Sequence, residues 1–356
     1  MGDLGCRKWM NEGVSQAVRL VVQIPCLNEE ETLPQTVADI RVALEDFSHV
    51  ILVIDDGSTD GTVDAARRAG VDYLARLPRH SGLSRAFMTG ISASLRLGAD
   101  IIVNTDADNQ YQAGDIEKLI APIVSKRADI VIGARPIAHI EHFSGVKKFL
   151  QKAGSGAIKW LTNADVMDAT SGFRAISRDA ALRLNVFTPF TYTLETIIQG
   201  ARSGMKIVSV PIGVRPPTRP SRLFRSIWQY LKRSATHILG IYTVYAPLRT
   251  YGALGLVPFA LATVLGLRYL LLITFADPTR SHTPSLVLAA ILFVLAFILW
   301  AVGGLGELIA VNRRLLEDIQ TEQRRARLRS GQAFDLDDNY ELVALKKGTS
   351  DVSVPS

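Results

Sequence analysis

Two unbroken apolar runs near the carboxyl end constrain this chain more than any other feature. "YGALGLVPFALATVLGLRYLLLITFA" (251–276) and "PSLVLAAILFVLAFILWAVGGLGELIAV" (284–311) each exceed the roughly 20 apolar residues that cross a hydrocarbon core about 30 Å thick. The alternative, a buried core hairpin, fits poorly, because soluble core helices are rarely so long and so free of charge. Only Arg268 and Glu307 interrupt the runs, one toward the far end of the first and the other near the returning end of the second. The seven-residue link "DPTRSHT" brings the chain straight back, so 251–311 is expected to be a two-helix transmembrane hairpin with both flanks on one side. "RSIWQYLKR" precedes it and "NRRLLEDIQTEQRRARLRS" follows it. Such basic flanks mark the cytoplasmic face, so the sequence predicts an integral membrane protein whose main domain and tail are cytoplasmic.

The net charge of +6 over 356 residues belongs largely to these flanks. That placement suits an anionic lipid surface and argues against nucleic acid as a partner. The start, "MGDLGCRKWMNEGVSQ", lacks the apolar stretch of a cleaved signal, and Cys6 stands where a myristoylation signal needs Ser or Thr. Cys6 and Cys26 show no metal-ligand or redox spacing, as expected in a reducing compartment.

From Leu20 to about Gly133 short β-branched runs alternate with segments of helical period. "RLVVQIP", "HVILVIDD", "VDYLARL", "ADIIVNTD" and "ADIVIGAR" predict strands. "EETLPQTVADIRVALEDF", "TVDAARRAG", "LSRAFMTGISASLRLG" and "DIEKLIAPIVSKR" predict helices between them, with Gly70 and Gly98 where helix ends favour glycine. This alternation predicts an α/β fold with a mainly parallel, doubly wound sheet. The expected organisation is an N-terminal tail (1–18), an α/β domain (19–215), a juxtamembrane segment (216–250), the hairpin (251–311), and a basic helix with a weakly ordered tail (312–356). Leu223, Ile227, Leu231, Ile238 and Tyr242 interleave with Arg222, Arg225, Lys232 and Arg233. That pattern predicts a basic amphipathic helix at the membrane interface.

In open α/β sheets the ligand sits beyond the carboxyl ends of the strands. Asp55 and Asp56 close one predicted strand; Asp106 and Asp108, in "NTDADNQYQAGD", follow another. Crowded carboxylates repel, so a cation is expected between them. Hard cations such as Mg²⁺ or Mn²⁺ accept a few carboxylates and keep other positions for water and phosphate oxygens. Neither a P-loop nor a Gly-x-Gly-x-x-Gly fingerprint is present, which disfavours P-loop phosphoryl transfer and dinucleotide redox chemistry.

"IPCLNEEETL", "VIDDGSTDGT", "NTDADNQY", "IGAR" and "TSGFRAIS" occur in an order and spacing that resemble family-2 glycosyltransferases of the GT-A fold. Within them the chain looks most like the dolichol-phosphate mannose synthase group of polyprenyl-phosphate glycosyltransferases. The resemblance covers about residues 19–215, and the paired spans resemble those of membrane-anchored members. It implies Asp106 and Asp108 as the metal-binding acids, with Gln110 as a further ligand. Pro25, Leu27, Glu29, Asp55, Asp56 and Asp106 would contact the nucleotide sugar. Arg135 and Arg174 would meet phosphates, while Asp168 and Glu195 match acids of the acceptor side. Arg215, Arg219 and Arg222, just before the amphipathic segment, are expected to attract the acceptor phosphate, with lipid headgroups as the alternative. Asp60 is expected to be a structural cap rather than a ligand.

The implied reaction moves one sugar, with inversion, from a nucleotide diphosphate sugar of the GDP-mannose or UDP-hexose type to a polyprenyl phosphate. Alternatives are a different lipid or glycan acceptor, or a catalytically silent membrane scaffold. Three residues depart from the family pattern. Leu27 replaces a frequent aromatic residue, His80 a frequent Asn, and Asn109 a common Leu. The absence of a Gln-x-x-Arg-Trp motif and the presence of only two spans argue against a processive polysaccharide synthase. The small residues of "AVGGLG" could also pack against a second copy in a homo-oligomer.

Overall fold

The apolar runs of the amino-terminal half become the centre of an eight-stranded sheet. The computed structural model describes residues 18–136, 166–186, 192–216, 240, 243, 245–275, 283–330 and 340–345. Its first five strands are β1 (Leu20–Cys26), β2 (His49–Asp55), β3 (Tyr73–Arg76), β4 (Ile101–Asn104) and β5 (Ile130–Ala134). Helices α1 (Leu33–Ala43), α2 (Thr62–Arg68), α3 (Leu83–Arg96) and α4 (Ile116–Val124) alternate with them. Gly70 and Gly98 carry φ of +70° and +77° just past α2 and α3, the left-handed turn in which glycine meets no Cβ penalty.

Next come β6 (Arg174–Ser177), α5 (Arg178–Arg183), α6 (Tyr192–Arg202) and β7 (Ile207–Pro211). The strand order is β7-β5-β6-β4-β1-β2-β3 and finally β8 (Glu341–Ala344). β1, β2, β3 and β4 pair in parallel, as do β5 and β7, whereas β6 and β8 run antiparallel to their neighbours.

Side chains alternate across this sheet with the period of two that a pleated strand imposes. Leu20, Val22 and Ile24 join Leu33, Val37, Ile40, Leu119 and Ile120 on one face. Val21, Leu52 and Ile54 join Phe87, Ile91, Tyr192 and Ile197 on the other. Covered on both faces, β1 buries all seven of its residues, the usual state of a central parallel strand.

The tail is not uniformly weak in structure, as its polar composition predicts. Glu341–Ala344 pairs with β3 along its outer edge, and the Tyr340 hydroxyl meets Ser92 and Arg96 of α3. Pairing an otherwise open edge satisfies its backbone groups.

The chain divides into two compact units, Met1–Arg222 with Ile319–Ser356, and Leu223–Asp318. The basic segment after the hairpin thus belongs to the first unit from Ile319 onward. There Arg324 donates to the carbonyls of Leu182 and Leu184 at 3.0 and 2.9 Å, satisfying carbonyls that the end of α5 leaves open.

The second unit holds α7 (Pro247–Phe275) and α8 (Thr283–Arg329), the latter continuing past Asp318 into the first. Both are long and apolar enough to cross a membrane. Leu270 is 59% exposed and Val294 58%, which rules out a core hairpin buried within the chain. Glycines bring the two helices close: Gly306 faces the Pro247 ring, Gly303 faces Tyr251, and Gly255 faces the Trp300 indole, whose Nε1 donates to Gly252 O at 3.2 Å. Gly303 and Gly306 of "AVGGLG" thus pack within the hairpin, while Gly304 faces open space. The predicted amphipathic helix, with Arg219 and Arg222, falls outside the described residues except at its last positions.

Candidate active site

The acid motif follows β4 immediately, and buried polar contacts hold that strand end. Gln23 of β1 donates to Asn104 Oδ1 at 2.8 Å, and Asn104 Nδ2 donates to Gly172 O at 2.9 Å and Tyr192 Oη at 3.0 Å. Gly172 is thereby laid over Asp106. A Cβ there would stand 3.0 Å from Asp106 Oδ1 and from Tyr192 Oη, so the close approach requires glycine. Tyr111 accepts from Gly172 N at 3.3 Å and stacks on Phe173, while Tyr192 stacks on Phe87.

Burial first, then the charge of Asp108, pushes the Asp106 carboxyl up to about 7, although Arg135 and Arg174 oppose the shift. A carboxyl in that position is stabilised by a nearby cation. Asp108 accepts from Gln110 N at 3.1 Å and from Gln110 Nε2 at 2.7 Å. Gln110 therefore steers Asp108 through its amide nitrogen, leaving its amide oxygen as its only group suited to a metal. Thr36 of α1 donates to Ala107 O at 2.9 Å, and Asn109 takes a left-handed φ of +56°. Two carboxylates beside a glycine that keeps space open fit a Mg²⁺ or Mn²⁺ ion that also needs diphosphate oxygens. Among the described residues no group of three or more His, Cys, Asp or Glu converges.

Arg135 and Asp168, 33 positions apart, meet as a bidentate pair: Nε is 2.6 Å from Oδ2 and Nη2 is 3.1 Å from Oδ1. Nη2 also donates to Thr170 Oγ1 at 2.8 Å. Asp168 is fully buried, and its carboxyl is held below the ordinary range by the Arg135 contact in spite of burial.

Arg174 is also fully buried, with its donors turned on the protein's own oxygens. Ser171 O, Thr193 O and Ala169 O each lie at 2.8 Å and Thr196 Oγ1 at 2.6 Å. The fork expected to meet phosphate instead pins the 169–171 segment to α6, and burial lowers its pKa to about 10. Glu195 lies on α6 and is buried, which excludes the solvent-exposed position that a charged helix residue normally takes.

The expected nucleotide side is built where β1 and β2 end. Pro25 is buried in β1 and Leu27 half-buried just beyond it. Asn28 Oδ1 accepts from Thr59 N at 2.9 Å, and Glu29 N donates to Thr62 Oγ1 at 2.8 Å. Asp55 accepts from Ser58 N at 3.0 Å and lies 3.7 Å from Arg76. Asp56, 3% exposed, accepts from Ser81 N at 2.7 Å, Gly82 N at 3.0 Å and His80 Nδ1 at 2.8 Å. Asp60 accepts from Thr62 N at 3.0 Å, beside the start of α2. That is the local capping contact expected of it.

Arg215 donates to Asp39 at 2.6 Å and to Asn109 Oδ1 at 2.8 Å, and its own N–H meets Gln110 O at 2.8 Å. This ties the chain that leads to the membrane segment directly to the acid loop. Sequence reasoning did not single out Gln23, Asn104, Tyr111, Gly172 or Tyr192. Three of them lie inside the quoted motifs "NTDADNQY" and "TSGFRAIS", where Asn104, Tyr111 and Gly172 were the available signal.

Residues 21–184 match the family model described as Glycosyl transferase family 2. The chain is 32% identical over 206 residues to an undecaprenyl-phosphate mannosyltransferase of Micrococcus luteus, covering 55% of this chain and 83% of that one. It is 29% identical over 205 residues to a polyprenol monophosphomannose synthase of Mycolicibacterium smegmatis, covering 54% and 76%. Among solved structures, it resembles glucosyl-3-phosphoglycerate synthase of Mycobacterium tuberculosis, crystallised with Mn²⁺, UDP-glucose and phosphoglyceric acid. There the TM-score is 0.50 at 21% identity, covering 64% of this chain and 79% of that one, a likeness of fold.

Proposed function

This chain belongs to glycosyl transferase family 2, and from that premise we propose that it moves one sugar from a nucleotide diphosphate sugar to a polyprenyl phosphate at the cytoplasmic membrane face. The acid pair that follows β4 carries the reading, because burial and then the charge of Asp108 push the Asp106 carboxyl up to about 7. The two polyprenyl-phosphate mannosyltransferase relatives support the acceptor class. The apolar hairpin agrees with it, since a long isoprenoid tail stays in the bilayer and its phosphate must be met at headgroup level.

A Mg²⁺ or Mn²⁺ held by Asp106 and Asp108, with Gln110 beside them, would neutralise charge on the departing diphosphate. The phosphate monoester acceptor has its second pKa near 6 and is largely dianionic at neutral pH. Its oxygen attacks the anomeric carbon, the bond from that carbon to the diphosphate breaks, and a nucleoside diphosphate leaves. No strong base is required, so catalysis falls to positioning and charge stabilisation. Arg135 supplies a guanidinium whose charge acts on Asp106, and Asp168 fixes its direction. Arg174 contributes buried positive charge that opposes the crowding at Asp106. Arg215 links the acid loop to the segment holding Arg219 and Arg222, which would gather the acceptor phosphate. Glu29, Asp55 and Asp56 frame the nucleoside.

The test compares acceptors of equal chain length on purified full-length protein: polyprenyl phosphate, the phosphate-free polyprenol, and a diacylglycerol, with radiolabelled UDP- and GDP-sugars. Label entering only polyprenyl phosphate supports the reading. Label entering the phosphate-free polyprenol or the diacylglycerol would replace the acceptor.

A further inference from the structure

The loop that carries the acid pair is held from outside by a closed triangle of side chains. Asn109 Nδ2 donates to Asp39 Oδ2 at 3.2 Å, Arg215 Nη1 donates to the same oxygen at 2.6 Å, and Arg215 Nη1 also donates to Asn109 Oδ1 at 2.8 Å. The corners come from α1, from the acid loop and from the chain that leaves β7.

Asn109 stands between Asp108 and Gln110, so whatever fixes Asn109 fixes both neighbours. Its φ of +56° is a conformation that Asn tolerates better than most residues. The loop is gripped on two sides. Thr36, three positions before Asp39 and so on the same face of α1, donates to Ala107 O at 2.9 Å. Opposite it, Gly213 N donates to Asp115 Oδ2 at 2.6 Å, Tyr111 and Val214 form an antiparallel bridge, and Arg215 N donates to Gln110 O at 2.8 Å. A Cβ on Gly213 would stand 2.5 Å from the Gln112 amide, a measure of how closely the two segments approach. Asp39 is the group that joins the helix side of this grip to the 213–215 side.

Stability does not account for the triangle. The Arg215 side chain is 42% exposed and that of Asp39 20%, and ion pairs this open contribute little to folding. Direction is what it supplies: with Oδ1 accepting and Nδ2 donating, the Asn109 amide cannot turn without breaking both bonds.

We propose that Asp39 is a positioning residue of the metal site, acting through Arg215 and Asn109 to hold Asp108 and Gln110 in the geometry that a Mg²⁺ or Mn²⁺ ion needs. Small hard cations demand near-ideal ligand directions, and a loop fixed beforehand avoids the ordering cost that a loose one meets on binding. This inference rests on the metal-site reading above.

The test measures binding of Mn²⁺ alone to full-length protein in detergent, from the loss of the free-ion electron paramagnetic resonance signal, alongside thermal unfolding. Asp39→Ala should weaken Mn²⁺ about five- to tenfold and move the unfolding midpoint by no more than about 4 °C. Asn109→Gly keeps the left-handed backbone accessible and removes only the amide; it should lose the same affinity, and the double variant no more than either. Arg67→Ala, which breaks an exposed pair with Asp64 on α2, should bind Mn²⁺ as wild type does. In transfer assays added Mn²⁺ should overcome the Asp39→Ala defect, which damage to the fold would not allow. Wild-type Mn²⁺ affinity in Asp39→Ala or Asn109→Gly, or losses that add in the double variant, would overturn the role of Asp39 and leave the metal site standing. Asp108→Ala that binds Mn²⁺ as tightly as wild type would overturn both.

Discussion

Arg135 grips Asp168 with two parallel hydrogen bonds, 2.6 and 3.1 Å long, between a guanidinium at the end of β5 and a carboxylate with no exposure to solvent. Such forks are the strongest form of charged hydrogen bond. The acid thereby sets the direction of an arginine that, unlike Arg174, is neither fully buried nor spent on backbone oxygens.

Asp168→Ala leaves that arginine unpaired in a mostly buried setting, and breaking a buried pair in this way costs about 3 kcal/mol. Chemical unfolding should show this loss, and transfer should fall with it. Asp168→Asn, which keeps the shape and one acceptor, should recover part of the stability and less of the transfer. Unchanged stability in Asp168→Ala would contradict the pairing.

The proposed role of Asp106 at the metal predicts that metal binding depends on pH. Its carboxyl is raised to about 7, whereas in the unfolded chain it titrates near 3.9. Below about pH 4 the group is protonated in both states and contributes nothing. As pH rises toward about 7 the unfolded chain ionises it more easily, so the metal-free fold loses stability across that window and no more above it. A cation needs the ionised form, so Mn²⁺ affinity should rise by up to about tenfold per pH unit below 7 and then level off. Titration of Mn²⁺ at several pH values checks this, and a flat profile would remove Asp106 from the metal site.

Gly172→Ala places a methyl 3.0 Å from Asp106 Oδ1 and Tyr192 Oη. Overpacking of this kind costs about 1–3 kcal/mol. With Asp106 as the proposed metal ligand, metal affinity and transfer should fall much further than stability. Equal metal affinity in variant and wild type would mean that the glycine lies over an idle carboxylate.

Arg324→Ala removes the donor that serves Leu182 O and Leu184 O. Leaving buried carbonyls unmet costs about 1–3 kcal/mol, which thermal unfolding in detergent should detect. An unaltered midpoint would show that the helix end following the hairpin does not brace the first unit.

The amino-terminal fold was legible because β-branched runs and glycine-marked helix ends repeat there in register with βα units. Strand β6 was not, because "RAIS" offers four residues, two of them polar, and pairs antiparallel between strands distant in sequence. The tail strand β8 was missed for a related reason: its polar flanks suggest disorder, and only the open edge of β3 orders it. Asp106 and Asp108 stood out as charges after an apolar strand. The Arg135–Asp168 pair could not, since 33 residues separate its members and spacing carries no contact information at that range. Arg174 shows the limit of the burial rule. An arginine is expected at the surface, yet four neutral oxygens, three of them backbone carbonyls, hold this one inside.

The central claim is metal-dependent sugar transfer to a polyprenyl phosphate at Asp106 and Asp108, and one assay tests it most directly. Wild type and Asp108→Ala are incubated with polyprenyl phosphate, Mn²⁺ and a labelled nucleotide sugar, with EDTA as control, and lipid-extractable label is counted. The account predicts label from wild type with metal, none with EDTA, and a loss of at least about a hundredfold in Asp108→Ala, the scale of removing a principal source of transition-state charge stabilisation. Full transfer by Asp108→Ala, or by wild type in EDTA, would contradict it.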